Sequence, residues 1–129
     1  MLTISSNPNN ILQVESYLRD AKSELHIDDR RFPDILISIT EAVNNAILHG
    51  NKADESKEVR INMESNNSGV AISVTDQGKG FDPDCVPDPT APENIETCGG
   101  RGVFIMSSLA DKISFTNNGS TVRMYFKLS

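Results

Sequence analysis

The sequence predicts a two-layer α/β sandwich, a mixed but mainly antiparallel sheet covered on one face by about three helices. Three observations carry that expectation. Apolar residues recur at helical spacing in two long segments, 11–25 and 32–46. Two pairs of alternating segments, 59–63 with 70–74 and 113–115 with 122–128, are each joined by an Asn- and Gly-bearing turn. Such turns make hairpins, and hairpins make antiparallel pairs. Finally, helices and strands alike have one apolar side, and the economical way to bury both is to stack them in layers.

The elements follow in order. Leu2-Thr3-Ile4-Ser5 alternates as a short first strand. Asn7-Pro8 supplies a cap and a proline for a helix start. Ile11, Val14, Leu18, Ala21 and Leu25 then run at steps of three and four, giving a helix that ends near His26. A polar loop, Asp28 to Arg31, leads to a second helix from Phe32-Pro33 to Gly50. With Ile39 at the centre of its buried stripe, Phe32, Ile35, Leu36, Val43 and Ala46 share that side. Asp34, Ser38, Glu41, Asn45 and His49 fall on the outer face, with Ile37 and Leu48 beside them. Gly50 closes the helix and Asn51–Ser56 is a polar turn. The first hairpin turns at Asn66-Asn67-Ser68-Gly69, and its returning strand runs into Asp76-Gln77-Gly78-Lys79-Gly80. The segment 82–98 holds four of the six prolines and no periodic apolar pattern, as expected of a long loop. Gly99-Gly100-Arg101-Gly102 ends it and a third helix is expected over Val103–Ala110. The second hairpin, turning at Asn117-Asn118-Gly119, completes the chain.

Bulk composition narrows the function classes. At 129 residues, 1–129 is one domain, and 37% hydrophobic content supports a modest core. A net charge of −6 argues against a nucleic-acid grip, which needs clustered cations. No apolar run approaches a membrane span, and the N-terminus lacks the pattern of a signal peptide. Cys85 and Cys98 are too few for a disulfide framework or a self-contained zinc site, so free thiols in a reducing cytoplasm are expected.

Three polar clusters stand at element ends. Glu41 and Asn45 lie one helical turn apart. Asn45 offers a carboxamide oxygen, a hard ligand suited to Mg²⁺, and Glu41 can accept a proton from a hydroxyl or water. Asp76, at the end of a buried strand, can accept a hydrogen bond from an exocyclic amine such as that of adenine. Gly78 and Gly80 after it permit close ligand approach. Gly100 and Gly102 open a helix whose free N–H groups suit a phosphate chain. Singly, each has a plainer reading: a solvated helix face, a turn after a strand, a loop closing on a helix. Order and context join them into one nucleotide site.

Glu41-Ala42-Val43-Asn44-Asn45-Ala46 resembles the N box of the GHKL ATPase superfamily. Asp76-Gln77-Gly78-Lys79-Gly80 resembles its first glycine box, and Gly100-Arg101-Gly102-Val103 its second. Gly119-Ser120-Thr121-Val122 resembles the closing Gly-x-Thr-x-Val element. The likeness covers nearly the whole chain in the right order. Within the superfamily, His49-Gly50 after the N box and the Gly99–Met106 run are most similar to the anti-sigma factor serine kinases.

The resemblance implies the Bergerat (GHKL) fold and an ATP- and Mg²⁺-dependent serine/threonine protein kinase in the cytoplasm. Asn45 would hold Mg²⁺ and Glu41 would be the catalytic base. Asp76 would read adenine with Thr121, and Gly78, Gly80, Gly100, Gly102 and Val103 would shape the pocket. The loop 82–98 would be the ATP lid. Some kinase members carry a basic residue just before the second glycine box; here Thr97-Cys98 stand there, and the nearest base is Arg101 inside the box. The implied partners are a STAS-domain anti-anti-sigma protein, a sigma factor and a second copy of the chain, with neither nucleic acid nor membrane. The alternative is a nucleotide-gated binding module of the same fold that transfers nothing.

Overall fold

The computed structural model describes residues 1–52, 54–77, 105–106, 108–116 and 120–128. The first strand, β1 (Leu2–Ser5), leads to a 3₁₀ turn at Pro8–Asn10. Asn7 caps that turn, its side-chain oxygen accepting the Asn9 N–H at 2.9 Å, with Pro8 in the first position as the sequence foretells. Helix α1 (Ile11–Ala21) buries Val14 and Leu18 completely. Beyond Ala21 the chain keeps turning, and the Ile27 N–H reaches back to the Lys22 carbonyl at 3.0 Å. His26 stands between them with φ of 56°, so it fills the left-handed position that ends such a motif.

Helix α2 (Phe32–Asn45) begins where the Asp28 carboxylate accepts the Arg31 N–H at 2.8 Å. Its expected stripe holds: Phe32, Ile35, Ile39, Val43 and Ala46 are buried and Leu36 packs against them. The expected outer face does not hold. Ser38 and Asn45 are buried at 0% and 5% exposure, whereas Ile37 and Leu48 are 47% and 42% exposed. Nor does α2 stay regular to Gly50. Ala46–Gly50 form a π-helical turn, closed by the Asn51 N–H to the Ala46 carbonyl at 2.8 Å.

Strands β2 (Glu58–Ser65), β3 (Gly69–Thr75), β4 (Lys112–Thr116) and β5 (Thr121–Lys127) complete a five-stranded sheet in the order β1-β2-β3-β5-β4. Every pairing among the described strands is antiparallel, so the sheet is not mixed there. The strand pairs of both expected hairpins form, and the second turn, 117–119, lies outside the described residues. In the first, Asn66 Oδ1 accepts the N–H groups of Ser68 and Gly69 at 2.8 and 2.9 Å. Gly69 is required by close approach, since a Cβ there would overlap the Phe126 carbonyl. Of the expected third helix, Ile105, Met106, Ser108 and Leu109 are helical, and the Ala110 N–H bonds the Met106 carbonyl at 2.9 Å.

One core unites the layers. Val59, Ile61, Val70, Ile72, Val74, Val122, Met124 and Phe126 face the helices, and alternate residues face away. At the far edge Arg31 ties helix to sheet. It bonds Asp34 and Asp111, each at 3.0 Å, and lies over the Phe126 ring. No helix among the described residues is long and apolar enough to cross a membrane.

Candidate functional site

The site is built where the end of α2 meets the end of β3. Asn45 occupies the last position of α2, with Glu41 one turn before it, half-buried. Among the described residues the buried Asn45 Nδ2 has no hydrogen-bond partner, and the Ser38 hydroxyl two turns earlier is in the same state. Buried polar atoms ordinarily find partners. Two such atoms on one line of a helix mark a surface shaped for something other than core packing. Leaving a buried group unbonded costs roughly 1–3 kcal/mol, which a ligand can return.

Asp76 follows directly on β3, 7% exposed, its N–H bonded to the Ser120 carbonyl at 2.9 Å. Its carboxylate lies against Gly50, the last residue of the π turn; a Cβ on Gly50 would overlap the Asp76 carboxyl group. Gly50 is therefore more than a helix terminator. It is the clearance that lets a helix end and a carboxylate share one place.

A buried tie holds the two ends together. Asn51, 1% exposed, donates from Nδ2 to Ser6 Oγ at 2.7 Å and to the Glu58 carbonyl at 3.0 Å. Its Oδ1 accepts the Gln77 N–H at 2.8 Å. Gln77 in turn accepts the Glu58 N–H at 2.6 Å. One side chain thus fixes β1, β2, the helix end and the residue after Asp76. The sequence showed Asn51 only as part of a polar turn; a buried carboxamide with three distant partners has no local signature.

The structure also bears on Thr121. Its hydroxyl meets that of Thr75 at 3.0 Å, and the two are directly paired in the sheet. Both alternate with core residues Val74 and Val122, so they belong to the outward row. Ser120, one residue earlier, stands opposite Asp76. Counting back by two from the buried Val122 would have found it. Gly78, Gly80, Gly100, Arg101, Gly102 and Val103, the loop 82–98, and Cys85 and Cys98 lie outside the described residues. No group of three or more His, Cys, Asp or Glu side chains able to hold a metal occurs among the described residues.

Comparisons with known proteins show the family. The model of the histidine kinase-like ATPase domain matches residues 4–126. The serine-protein kinase RsbW of Oceanobacillus iheyensis is 28% identical over 100 residues, 73% of this chain and 63% of its own length. The RsbW of Bacillus subtilis strain 168 is 32% identical over 100 residues, covering 70% of this chain and 61% of the relative. The anti-sigma F factor of Clostridium botulinum strain Eklund 17B is 32% identical over 102 residues, 74% of this chain and 71% of that protein. The chain thus spans a little over three fifths of the length of the two kinases, 63% and 61%. With the match running from β1 to β5 and the helix end set against Asp76, the chain belongs to the family of histidine kinase-like ATPase domains.

Proposed function

We propose that this chain is an ATP-dependent serine/threonine protein kinase and anti-sigma factor that phosphorylates a STAS-domain anti-anti-sigma protein. The observation that carries the reading is the meeting of a helix end with Asp76 at Gly50, on the helix that carries the buried Asn45 and, one turn before it, Glu41. The names of the relatives, serine-protein kinase and anti-sigma F factor, support it.

The oxygen of the Asn45 carboxamide, rather than its unbonded nitrogen, is the atom that fits Mg²⁺, which takes few protein ligands and prefers oxygen. When bound, the metal offsets charge on the phosphate oxygens. Asp76 accepts the exocyclic amine of adenine, Gly50 leaves it room, and Ser120 or Thr121 completes that end through water. Gly78, Gly80, Gly100, Gly102 and Val103 shape the pocket, and Arg101 is the nearest basic residue in the sequence that could serve the phosphates. Glu41 orients the acceptor hydroxyl and takes its proton. As that happens, the hydroxyl oxygen bonds the γ-phosphorus and the bond to the departing ADP oxygen breaks. The phosphorylated product gains about −1.5 to −2 of charge. A chain of net charge −6 repels it, which frees this protein to hold a sigma factor instead. The acting unit is a homodimer.

Incubation with labelled ATP and a purified STAS-domain protein tests the reading. The native chain is expected to transfer label to a serine or threonine. Glu41→Ala should keep nucleotide affinity by calorimetry and lose transfer by about 100-fold or more. Transfer by Glu41→Ala at the native rate removes Glu41 as the base. Nucleotide binding with no transfer by the native chain leaves the nucleotide-gated binding module.

A further inference from the structure

The outward face of the sheet carries a groove of about 920 Å³ at the β4–β5 edge. It lies toward the end of β3 and β5 remote from Asp76: Gly69 pairs with Lys127 there, whereas Thr75 pairs with Thr121 at the Asp76 end. The six residue steps along β3 from Gly69 to Thr75 span about 20 Å. Ser68, Lys112, Ser114, Arg123, Tyr125 and Lys127 line the groove.

Its charge is opposite to that of the chain. The molecule carries −6, yet Lys112, Arg123 and Lys127 meet here, all exposed, and none is in an ion pair among the described residues. The register explains the cluster. Arg123, Tyr125 and Lys127 alternate along β5, and Lys112 pairs directly with Tyr125 across β4. Tyr125 is therefore ringed by three cations, its hydroxyl 2.6 Å from the Ser68 hydroxyl. The one acid in the lining, Asp111, is already engaged. Its Oδ2 accepts from Arg31 at 3.0 Å and from the Lys127 backbone N–H at 2.6 Å. Glu64, in the same cross-strand row, is separated from Tyr125 by Ala71 on the intervening strand.

We infer that this groove is a docking site for an acidic segment of a partner protein, distinct from the nucleotide site. Charge complementarity selects that occupant. Three free cations around an aromatic ring suit carboxylates flanking an apolar or aromatic side chain. A second copy placed on a two-fold axis here would set Lys112, Arg123 and Lys127 against their own counterparts, which is repulsive. A nucleic acid would meet three cations on a chain otherwise acidic, far from the basic stripe such binding requires.

The test is an NMR titration of the native chain with a peptide of alternating Glu and Tyr. A Lys-Tyr peptide and a single-stranded oligonucleotide serve as controls. The Glu-Tyr peptide is expected to move the amide resonances of Lys112, Ser114, Arg123, Tyr125 and Lys127, with affinity falling as salt rises. R123E/K127E should weaken it about tenfold or more, while R123K/K127R keeps it, both with unchanged nucleotide affinity. If R123E/K127E melts early, K112E supplies the same reading. The proposal is overturned if the groove resonances stay still, or if the shifts survive charge reversal. Equal or tighter oligonucleotide binding overturns it too, as does self-association through these same residues.

Discussion

Gly50 and Asp76 meet although 25 residues separate them in the chain, and the contact leaves no space for even a methyl group. Gly50→Ala must therefore push the Asp76 carboxylate aside. The displaced group is a short side chain and not backbone, so the stability cost is modest, about 1–2 kcal/mol. Nucleotide affinity should suffer far more, by about tenfold or greater, because the carboxylate proposed to read adenine would be misplaced. Denaturant melts set beside calorimetry with ADP check this; equal losses in both would show a structural effect only. Ser38 and Asn45 add a second lesson at this scale. Helical periodicity put them on the outer face, yet both are buried. Angle does not report what covers a face. The exposed apolar pair Ile37 and Leu48 and the buried polar pair Ser38 and Asn45 invert the usual arrangement, and only tertiary structure reveals it.

Among the elements, the junctions decide whether the site exists. α2 and β3 are each secured by their own apolar residues, but their ends are aligned by Asn51. Removing its carboxamide takes a partner from the Glu58 carbonyl and the Gln77 N–H, and a donor from the Ser6 hydroxyl, which keeps its bond to the Lys57 carbonyl. Asn51→Ala should cost roughly 2–3 kcal/mol, read from the shift in urea midpoint at constant slope. It should also weaken ADP binding, since Gln77 adjoins Asp76. Retained ADP affinity despite the lost stability would show that Asn51 supports the fold alone. The strands themselves were plain in the sequence, because alternation over 59–63, 70–74 and 122–128 reports burial residue by residue. The π turn was not, since Ala46–Gly50 offers no local pattern that separates it from one more α turn.

At the scale of the whole molecule, the two-layer arrangement and both hairpins could be read from the chain. The placing of β5 between β3 and β4 could not, because strand order depends on contacts between distant segments. The glycine boxes and the N box named a nucleotide site by resemblance, and in the structure the helix that carries the N box ends against Asp76. A ligand that binds only the folded state stabilises it by mass action. At 100 times its dissociation constant Mg·ATP should add about 2.7 kcal/mol, or roughly 10 °C in Tm for a domain of this size. Asn45→Ala should lose most of the Mg²⁺-dependent part of that shift and keep the part that ATP gives with chelator. An equal shift in Asn45→Ala would remove Asn45 as a metal ligand.

The π turn gives the molecule a sensitivity to counting. Each α-helical step rotates the chain by about 100°. Deleting one residue from 46–50 and letting a regular turn re-form would therefore swing everything downstream by about that amount relative to Asn45. Composition within the turn has latitude at Leu48 and His49, which are exposed, and none at Gly50. Its length has none, for a single missing residue would carry the helix end away from Asp76 while leaving every named side chain intact.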